Sequence, residues 1–508
     1  MYMSWLSSLA PTVAIATLTT VAHSNPVTRQ QASSFSLISD EPPFTLRYST
    51  SQQDPTNWIG IYHAAGGGPV DEEQNQPALV WDYTAEADGE ILLSAASLQP
   101  GSYKAFFLAS DGYQWLAEPL DIEFQESTGP FRFIVPNITL HNARQSDEFA
   151  ANIAGLLKGG ESSNVTFNTE KTSWAKISAD GKITGTPATN SGLTRLVVEA
   201  ASSGGSVANL TIDIPVKLEN EALVDELRIM TYNLWHGGTR MSDFHDKQVR
   251  FLVDSNADIV GLQESTPDHA ERLAKTLEWF VWQDTDVGVI SRYPIDHVHP
   301  RLGSYSGGIR VNLDADCSQL NLWNVHLGYD PYGPYDFCFD GMSIDAVLER
   351  EAESGRTPQI IETMAAMKDQ LANAANIPVI LLGDFNAPSH LDWTSALKEK
   401  NCGYSDVPWP TSESPIKAGM VDSFREAHPI PENDEGITWS PIFLDNNNRP
   451  EPLDRIDFIY HKSDFDVLAS DTLVVGDPTP QPNHENNEWT SDHAAVMTTF
   501  KLSSQRCR

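Results

Sequence analysis

The chain has 508 residues, 40% of them hydrophobic and 20% charged, with a formal net charge of −36 at pH 7. That length exceeds one ordinary core and predicts roughly two to four domains, and the composition is that of a globular protein. The acidic surface repels polyanions over long range, so a generic DNA-coating role with a basic footprint is disfavoured, although a local basic pocket or bound divalent cations could still accept one phosphate.

Residues 1–24 read as a secretory signal, with an apolar centre followed by Ala22-His23-Ser24 as a small-x-small cleavage site, although no Lys or Arg precedes the apolar part. No later apolar run is long enough to span a bilayer, so no transmembrane segment is expected and the mature chain should be soluble and extracellular. Sequons at Asn137, Asn164 and Asn209 agree with export, and all three fall in one region. Four cysteines, Cys317, Cys338, Cys402 and Cys507, are compatible with two disulfides in such a compartment.

Residues 25–127 show short alternating strands. Phe44, Leu46 and Tyr48 alternate with polar neighbours, and Trp58–Tyr62, Ala78–Tyr83, Glu90–Ser94, Tyr103–Leu108 and Leu120–Phe124 follow between glycine-rich turns. This spacing reads as an all-β sandwich. The stretches NWIGIY and GSYKAFFLA resemble SKICH-like β-sandwiches. Trp58, Tyr62, Trp81 and Trp115 are expected to serve core packing ahead of a ligand platform. Residues 128–220 are rich in Ser, Thr, Asn and Gly, and SWAKISADGKITGTP (Ser173 to Pro187) resembles an immunoglobulin- or cadherin-like repeat. A second β-sandwich serving as a glycosylated spacer is expected there.

The texture changes in residues 225–508 to alternating strands and helices. Leu227–Tyr232, Ile259–Gln263, Val287–Ile290, Gly308–Leu313, Leu320–Leu327, Pro378–Leu382 and Ile456–Tyr460 read as strands. Ala270, Leu273, Ala274 and Leu277 share one helical face, as do Ile360, Met364, Met367 and Leu371. A layered α/β architecture follows.

Several of these strands end in polar groups. RIMTYNLW delivers Asn233, ADIVGLQE delivers Glu264, LNLWNVHLGY delivers His326, and PVILLGDFN delivers both Asp384 and Asn386. DRIDFIY carries Asp457, and WTSDHAAV supplies Asp492 and His493 just before an apolar strand. If these ends converge they form a cup of carboxylates, carboxamides and two imidazoles. Hard oxygen donors suit Mg²⁺ or Mn²⁺, with Ca²⁺ as a further option. Singly, each residue has a structural reading: Glu264 as a cap for the helix starting near Pro267, Asp457 as the partner of Arg455 or Lys462, His326 as a satisfied strand-end histidine.

GDFN followed much later by SDH resembles the endonuclease/exonuclease/phosphatase superfamily over roughly Leu227 to Phe500. The resemblance implies a four-layered α/β sandwich, two central β-sheets flanked by helices, with the site at one rim. It implies that Asn233, Glu264 and Asp492 hold the divalent metal, and that Asp384 positions or deprotonates the attacking water or fills a second metal position. Asn386 steadies the scissile phosphate, Asp457 orients His493 toward a phosphoryl oxygen, and His326 acts as acid for the leaving oxygen. The carboxylate that should support His326 has no counterpart recognisable in the sequence. Arg310, Tyr329, His390 and Trp393 are further candidates for substrate contact. Strand direction pairs Cys317 with Cys507 at the rim opposite the site and leaves Cys338 with Cys402 near the active-site loops.

The expected function is a secreted, metal-dependent phosphoric ester hydrolase, a monomer acting on a phosphodiester by in-line water attack. A nuclease acting on DNA or RNA is an alternative that the net charge weighs against. A non-catalytic protein, binding glycan or cell surface through its N-terminal domains, is a second alternative.

Overall fold

Apolar runs bounded by turns decide most of the architecture. The computed structural model describes residues 33–502 apart from 40–43, 67, 70–76, 85, 94–97, 99–100, 125–129, 160–164, 170–173, 189–191 and 315–317. The expected leader, the Asn164 sequon and the Cys317–Cys507 pairing lie outside the described residues.

In the first module a three-stranded sheet (Ser34–Ser39, Phe44–Ser49, Asp88–Leu93) faces a four-stranded one (Val80–Tyr83, Trp58–His63, Gly101–Leu108, Leu120–Phe124). Alternate residues of both sheets, including Phe44, Leu46, Ile59, Ile61, Phe107 and Ile122, meet in one core. Trp58, Tyr62 and Phe106 form a second, smaller cluster, with Trp115 packed against it. Trp81 remains 48% exposed.

The second module is built on the long antiparallel pair Leu193–Ser202 and Val207–Lys217, whose inward residues alternate strictly with outward ones. It is not a free spacer. Its Phe133, Ile153, Leu156 and Ile212 belong to the same buried cluster as Val249, Leu252, Leu273 and Leu277 of the C-terminal module. Arg132 Nη2 and Lys158 Nζ both reach the buried Asp246 carboxylate at 2.6 Å, and Arg144 pairs with Asp314. A linker composition rich in Ser and Gly misled the sequence reading because apolar residues at every second position are easily diluted by the polar outer face.

The C-terminal module packs two six-stranded sheets face to face. One runs Phe280–Gln283, Gly288–Ser291, Ile259–Gln263, Glu226–Asn233, Ala495–Lys501, Asp466–Leu473. The other runs Ile295–Val298, Ser306–Asp314, Ser318–His326, Val379–Asp384, Asp457–Lys462, Val421–Asp422. Leu227, Ile229, Ile259 and Val496 of the first meet Ile309, Leu322, Ile380 and Ile459 of the second in the central core. Helices Phe244–Asp254 and His269–Leu277 cover the outside of the first sheet. Helix Arg356–Ala372 covers the second with Ile360, Met367 and Leu371. This makes four layers, and strands buried on both faces explain continuous apolar runs such as Val379–Leu382.

Strand direction then positions the site. Glu226–Asn233 is parallel to Ile259–Gln263, and Ser318–His326 is parallel to Val379–Asp384. Ala495–Lys501 and Asp457–Lys462 run antiparallel to these and begin at the same rim. Four C-terminal strand ends and two N-terminal ones therefore meet at one edge.

The second module docks closely at Gly155, where an added Cβ would lie 2.6 Å from the carbonyl oxygens of both Lys275 and Thr276. Gly155→Val is expected to cost about 1–3 kcal/mol through overpacking. Thermal denaturation should show a transition lowered by several degrees, at roughly 2–4 °C per kcal/mol for a unit of this size; an unchanged transition would mean the modules do not dock here.

Candidate active site

Asp384 is the centre of this edge. It ends its strand, is 1% exposed, and stands in register with His326 on one side and Asp457 on the other. The residue before it must be glycine: Gly383 has φ of +140°, and a Cβ there would sit 1.9 Å from the Val325 carbonyl oxygen. The chain then turns back, and the Asn386 backbone N–H donates to Asp384 Oδ1 at 2.8 Å. The Asn386 side chain donates through Nδ2 to the Leu327 carbonyl at 3.0 Å and to Asp384 Oδ2 at 3.3 Å.

Two imidazole–carboxylate pairs flank Asp384. His493 Nδ1 lies 2.9 Å from Asp457 Oδ2, and its Nε2 is 3.7 Å from Asp384 Oδ2. His326 Nδ1 lies 2.5 Å from Asp286 Oδ2, and its Nε2 is 3.6 Å from the same Asp384 oxygen. Burial opposes protonation of both rings, but the carboxylates prevail. The His326 ring is pushed up to about 10, chiefly by Asp286 and then Asp384, and His493 is raised well above its ordinary value by Asp457 and Asp384.

Glu264 and Asp492 complete the acidic cup. Glu264 stands just beyond its strand with φ of +52°, a left-handed conformation costly for a glutamate, and so points into the site instead of continuing the sheet. The backbone N–H of His236 donates to Glu264 Oε2 at 2.6 Å. Burial would raise the Glu264 carboxyl, yet His326 and His236 hold it below the usual range. Asp492 is pushed up to about 8 by burial and by the neighbouring Glu264 and Asp384 charges, with His493 opposing. Asp384 is pushed up to about 6, again mainly by burial.

This donor set fits a hard divalent cation. Among the described residues, Asp492 Oδ1 and Asp457 Oδ1 are buried without a hydrogen-bond partner, and the ion-pair partners of Glu264, Asp384, Asp457 and Asp492 are histidines only. Among the described residues, the ligating atoms of Asp384, Asp457 and His493 lie within 4.8 Å of one another. Within that group His493 Nδ1 and Asp457 Oδ2 already face each other at 2.9 Å, and Glu264 and Asp492 stand outside it. Asn233 differs from its expected part as an oxygen donor. Its Oδ1 accepts from the Trp235 backbone N–H at 2.9 Å, and it turns Nδ2 toward Glu264 Oε1 (3.2 Å) and Asp384 Oδ2 (3.0 Å). The amide holds two carboxylates together.

The second-tier candidates separate. Arg310 sits in mid-strand, well inside the sheet from the rim, and its Nε donates to Asn321 Oδ1 of the neighbouring strand at 3.1 Å. Trp393 is 2% exposed, packed edge-on against Trp409 and beside Phe337, with Nε1 bonded to Asp454, so it is core and unavailable to substrate. His390 is engaged with Ser412 through both its backbone N–H and its ring. Tyr329 is 74% exposed on the loop after His326. Arg455 is committed to Asp392 and Asp422, and Lys462 to the Ala418 carbonyl, which leaves Asp457 to His493. Glu264 caps no helix; Asp268 precedes the helix His269–Leu277. Cys338 and Cys402 are joined with a Cα–Cα separation of 5.2 Å.

Sequence reasoning missed Asp286. It lies in the short connection between Phe280–Gln283 and Gly288–Ser291, and the only local sign is an acidic pair, Asp284 and Asp286, just before the apolar strand. It also missed Trp439, whose ring lies 5.1 Å from that of His493, and Ser491, which donates to the Asn233 carbonyl at 2.6 Å.

Residues 230–493 match the endonuclease/exonuclease/phosphatase family. An uncharacterized protein of Caenorhabditis elegans is 31% identical over 292 residues, covering 54% of this chain and 91% of that one. Among solved structures, truncated Caenorhabditis elegans TDP2 is 16% identical over 55% of this chain and 98% of its own, with a TM-score of 0.36. D. rerio TDP2 complexed with single strand DNA product is 17% identical over 55% of this chain and 100% of its own, with a TM-score of 0.37. An AP endonuclease from Archaeoglobus fulgidus is 16% identical over 54% of this chain and 100% of its own, with a TM-score of 0.36. With its strand-end carboxylates, amides and imidazoles gathered at one rim and more than half its length matched, this chain belongs to the endonuclease/exonuclease/phosphatase family of phosphoester-hydrolysing enzymes.

Proposed function

We propose that the protein is an exported phosphodiesterase that hydrolyses its substrate by in-line attack of water on phosphorus. The observation that carries this reading is the pair of imidazole–carboxylate dyads, one on each side of the buried Asp384 oxygen, at 3.6 and 3.7 Å. A phosphoryl group seated between them meets a proton acceptor and two charged donors at once.

In this assignment Asp384 orients the attacking water and takes its proton. His493, kept cationic by Asp457, donates to a phosphoryl oxygen and offsets the charge that develops there. His326, supported by Asp286, protonates the departing oxygen. Asn386 steadies the phosphate by exchanging its weaker 3.3 Å contact to Asp384 for a phosphoryl oxygen. Glu264 and Asp492 would hold Mg²⁺ or Mn²⁺, with Ca²⁺ as a further option, and Asn233 would keep Glu264 and Asp384 in place. A divalent cation supplies charge neutralisation at the phosphoryl oxygens.

The net charge of −36 supports a small or lipid-derived diester over a polynucleotide. The Cys338–Cys402 bond supports an oxidising compartment, and Asn137 and Asn209 lie on exposed strand positions open to glycans. Boundaries at 25–127, 128–220 and 225–508 belong to the same proposal, as do the SKICH-like and cadherin-like readings of the first two modules.

A phosphoester panel with Mg²⁺, Mn²⁺ and Ca²⁺ should show diester turnover that falls by about 10³-fold or more in Asp384→Ala, the loss expected on removing a base at the reacting centre; undiminished activity would refute the assignment. The His326 ring, at about 10 in the fold against 6.5 unperturbed, contributes stability that is complete below pH 6.5 and lost as pH rises through about 10. In Asp286→Asn of the metal-free protein, histidine-selective NMR should show this titration moving down by more than one pH unit. Because Asp492 is pushed up to about 8, cation binding near pH 7 should displace a proton. Calorimetry in buffers of different ionisation enthalpy should then show proton release, with affinity rising between pH 6 and 8.

A further inference from the structure

A buried guanidinium ties together the two loops that follow the parallel strands of the site. Arg356 opens helix Arg356–Ala372 immediately after Gly355 and is 0% exposed. Its Nη1 donates to the carbonyls of Gly328 (3.0 Å), Tyr329 (3.1 Å) and Asn386 (2.7 Å). Its Nη2 donates to the Pro331 carbonyl and to Glu351 Oε1 (2.7 Å), and its Nε to Glu351 Oε2 (3.0 Å). Glu351 itself is 1% exposed and closes the preceding helix, Ile344–Glu353.

The fork therefore serves four carbonyls and one carboxylate. The same helix reaches the first loop again through Gln359, which accepts from the Gly328 N–H at 2.8 Å. Gly328 lies so close to the junction of the two helices that an added Cβ would be 2.0 Å from the Ser354 carbonyl oxygen. The two loops also hold each other directly: Leu327 N–H donates to the Asp384 carbonyl at 2.9 Å, and Asn386 Nδ2 to the Leu327 carbonyl.

Burying a charged pair gives little net stability compared with an apolar pair of the same volume. Its retention here, on four backbone carbonyls at the active rim, calls for another physical reason. We propose that Arg356 is a positioning residue for hydrolysis, clamping Asn386 and the 328–331 loop against His326 and Asp384 so that phosphate contacts are pre-set before substrate arrives. The proposal rests on the phosphodiesterase reading for its kinetic consequence and on geometry alone for its structural one. Lysine cannot replace the fork: it offers three donors from one point and no bidentate match to Glu351.

The test compares the full-length wild type with Arg356→Lys and Glu351→Gln. Measurements are kcat and KM on a diester turned over in the panel, Mn²⁺ affinity by calorimetry, and amide hydrogen exchange of peptides spanning 326–332 and 384–388. Arg356→Lys is expected to lower kcat about 10- to 100-fold, the scale of a small misplacement of a reacting group, with KM changed less than threefold. Mn²⁺ affinity should stay within twofold, because Glu264 and Asp492 are untouched. Exchange should quicken in those two loops and not in the strand Glu226–Asn233. Glu351→Gln, which keeps the acceptor but not the charge, should fall between. In an Asn386→Ala background the Arg356→Lys effect on kcat should shrink, since both act through one arm. Wild-type kcat with unchanged loop exchange overturns the proposal, and so does exchange quickened throughout the C-terminal module. If the wild type turns over no diester, the phosphodiesterase reading fails, and loop-specific exchange still decides whether the clamp exists.

Discussion

Everything at the active rim depends on holding several largely buried carboxylates close together. Asp384, Asp457, Asp492 and Glu264 crowd a space that offers no Lys or Arg contact among the described residues, and burial pushes Asp384 and Asp492 toward their neutral forms. The protein offsets this repulsion with two imidazolium rings, with the Asn233 amide between two of the acids, and with backbone N–H groups from His236 and Asn386. What remains uncompensated is the chemical demand for a divalent cation. Both histidines are basic because each faces carboxylates, His326 chiefly Asp286 and His493 chiefly Asp457, with Asp384 acting on both.

Holding that arrangement requires rigid supports, and the strands provide them. Two parallel pairs end at the rim and two antiparallel strands begin there, so side chains far apart along the chain are delivered from a shared, dry core. Several strand exits at the rim carry left-handed backbone. Glu264, Asn386, Trp235 and His236 all take positive φ within the first residues beyond a strand, and at Glu264 and Asn386 this turns the side chain into the site. Buried cations behind the rim follow the same logic. Arg356 holds the loops after His326 and Asp384, while Arg455 neutralises Asp392 and Asp422 and so frees Asp457 for His493.

The second module changes how the molecule is read. It covers the helices outside the first sheet with apolar residues, anchors the helix Phe244–Asp254 through Asp246, and reaches the end of strand Ser306–Asp314 through the Arg144–Asp314 pair. The helix Phe244–Asp254 is thus buried on two sides, and the loop at His236 that touches Glu264 begins just before it.

Most elements were legible in the sequence because their signals are local. Continuous apolar runs marked the central strands, three- and four-residue spacing marked the helices at Ala270–Leu277 and Ile360–Leu371, and polar residues at strand ends marked the rim. The chain alone thereby determined which groups could do chemistry. Which of them face one another was decided by tertiary structure. Asp286 became the partner of His326 only because a hairpin connection folds over the sheet edge, and nothing in its own neighbourhood distinguishes it from Asp284. Trp393 moved from candidate contact to core, and Arg310 to mid-sheet, because strand register and depth, not proximity in the chain, set what a side chain can reach. Asn233 shows the same limit at the scale of one torsion: its identity was plain, but the direction of its amide was settled by a backbone N–H two residues on, which only the folded turn presents.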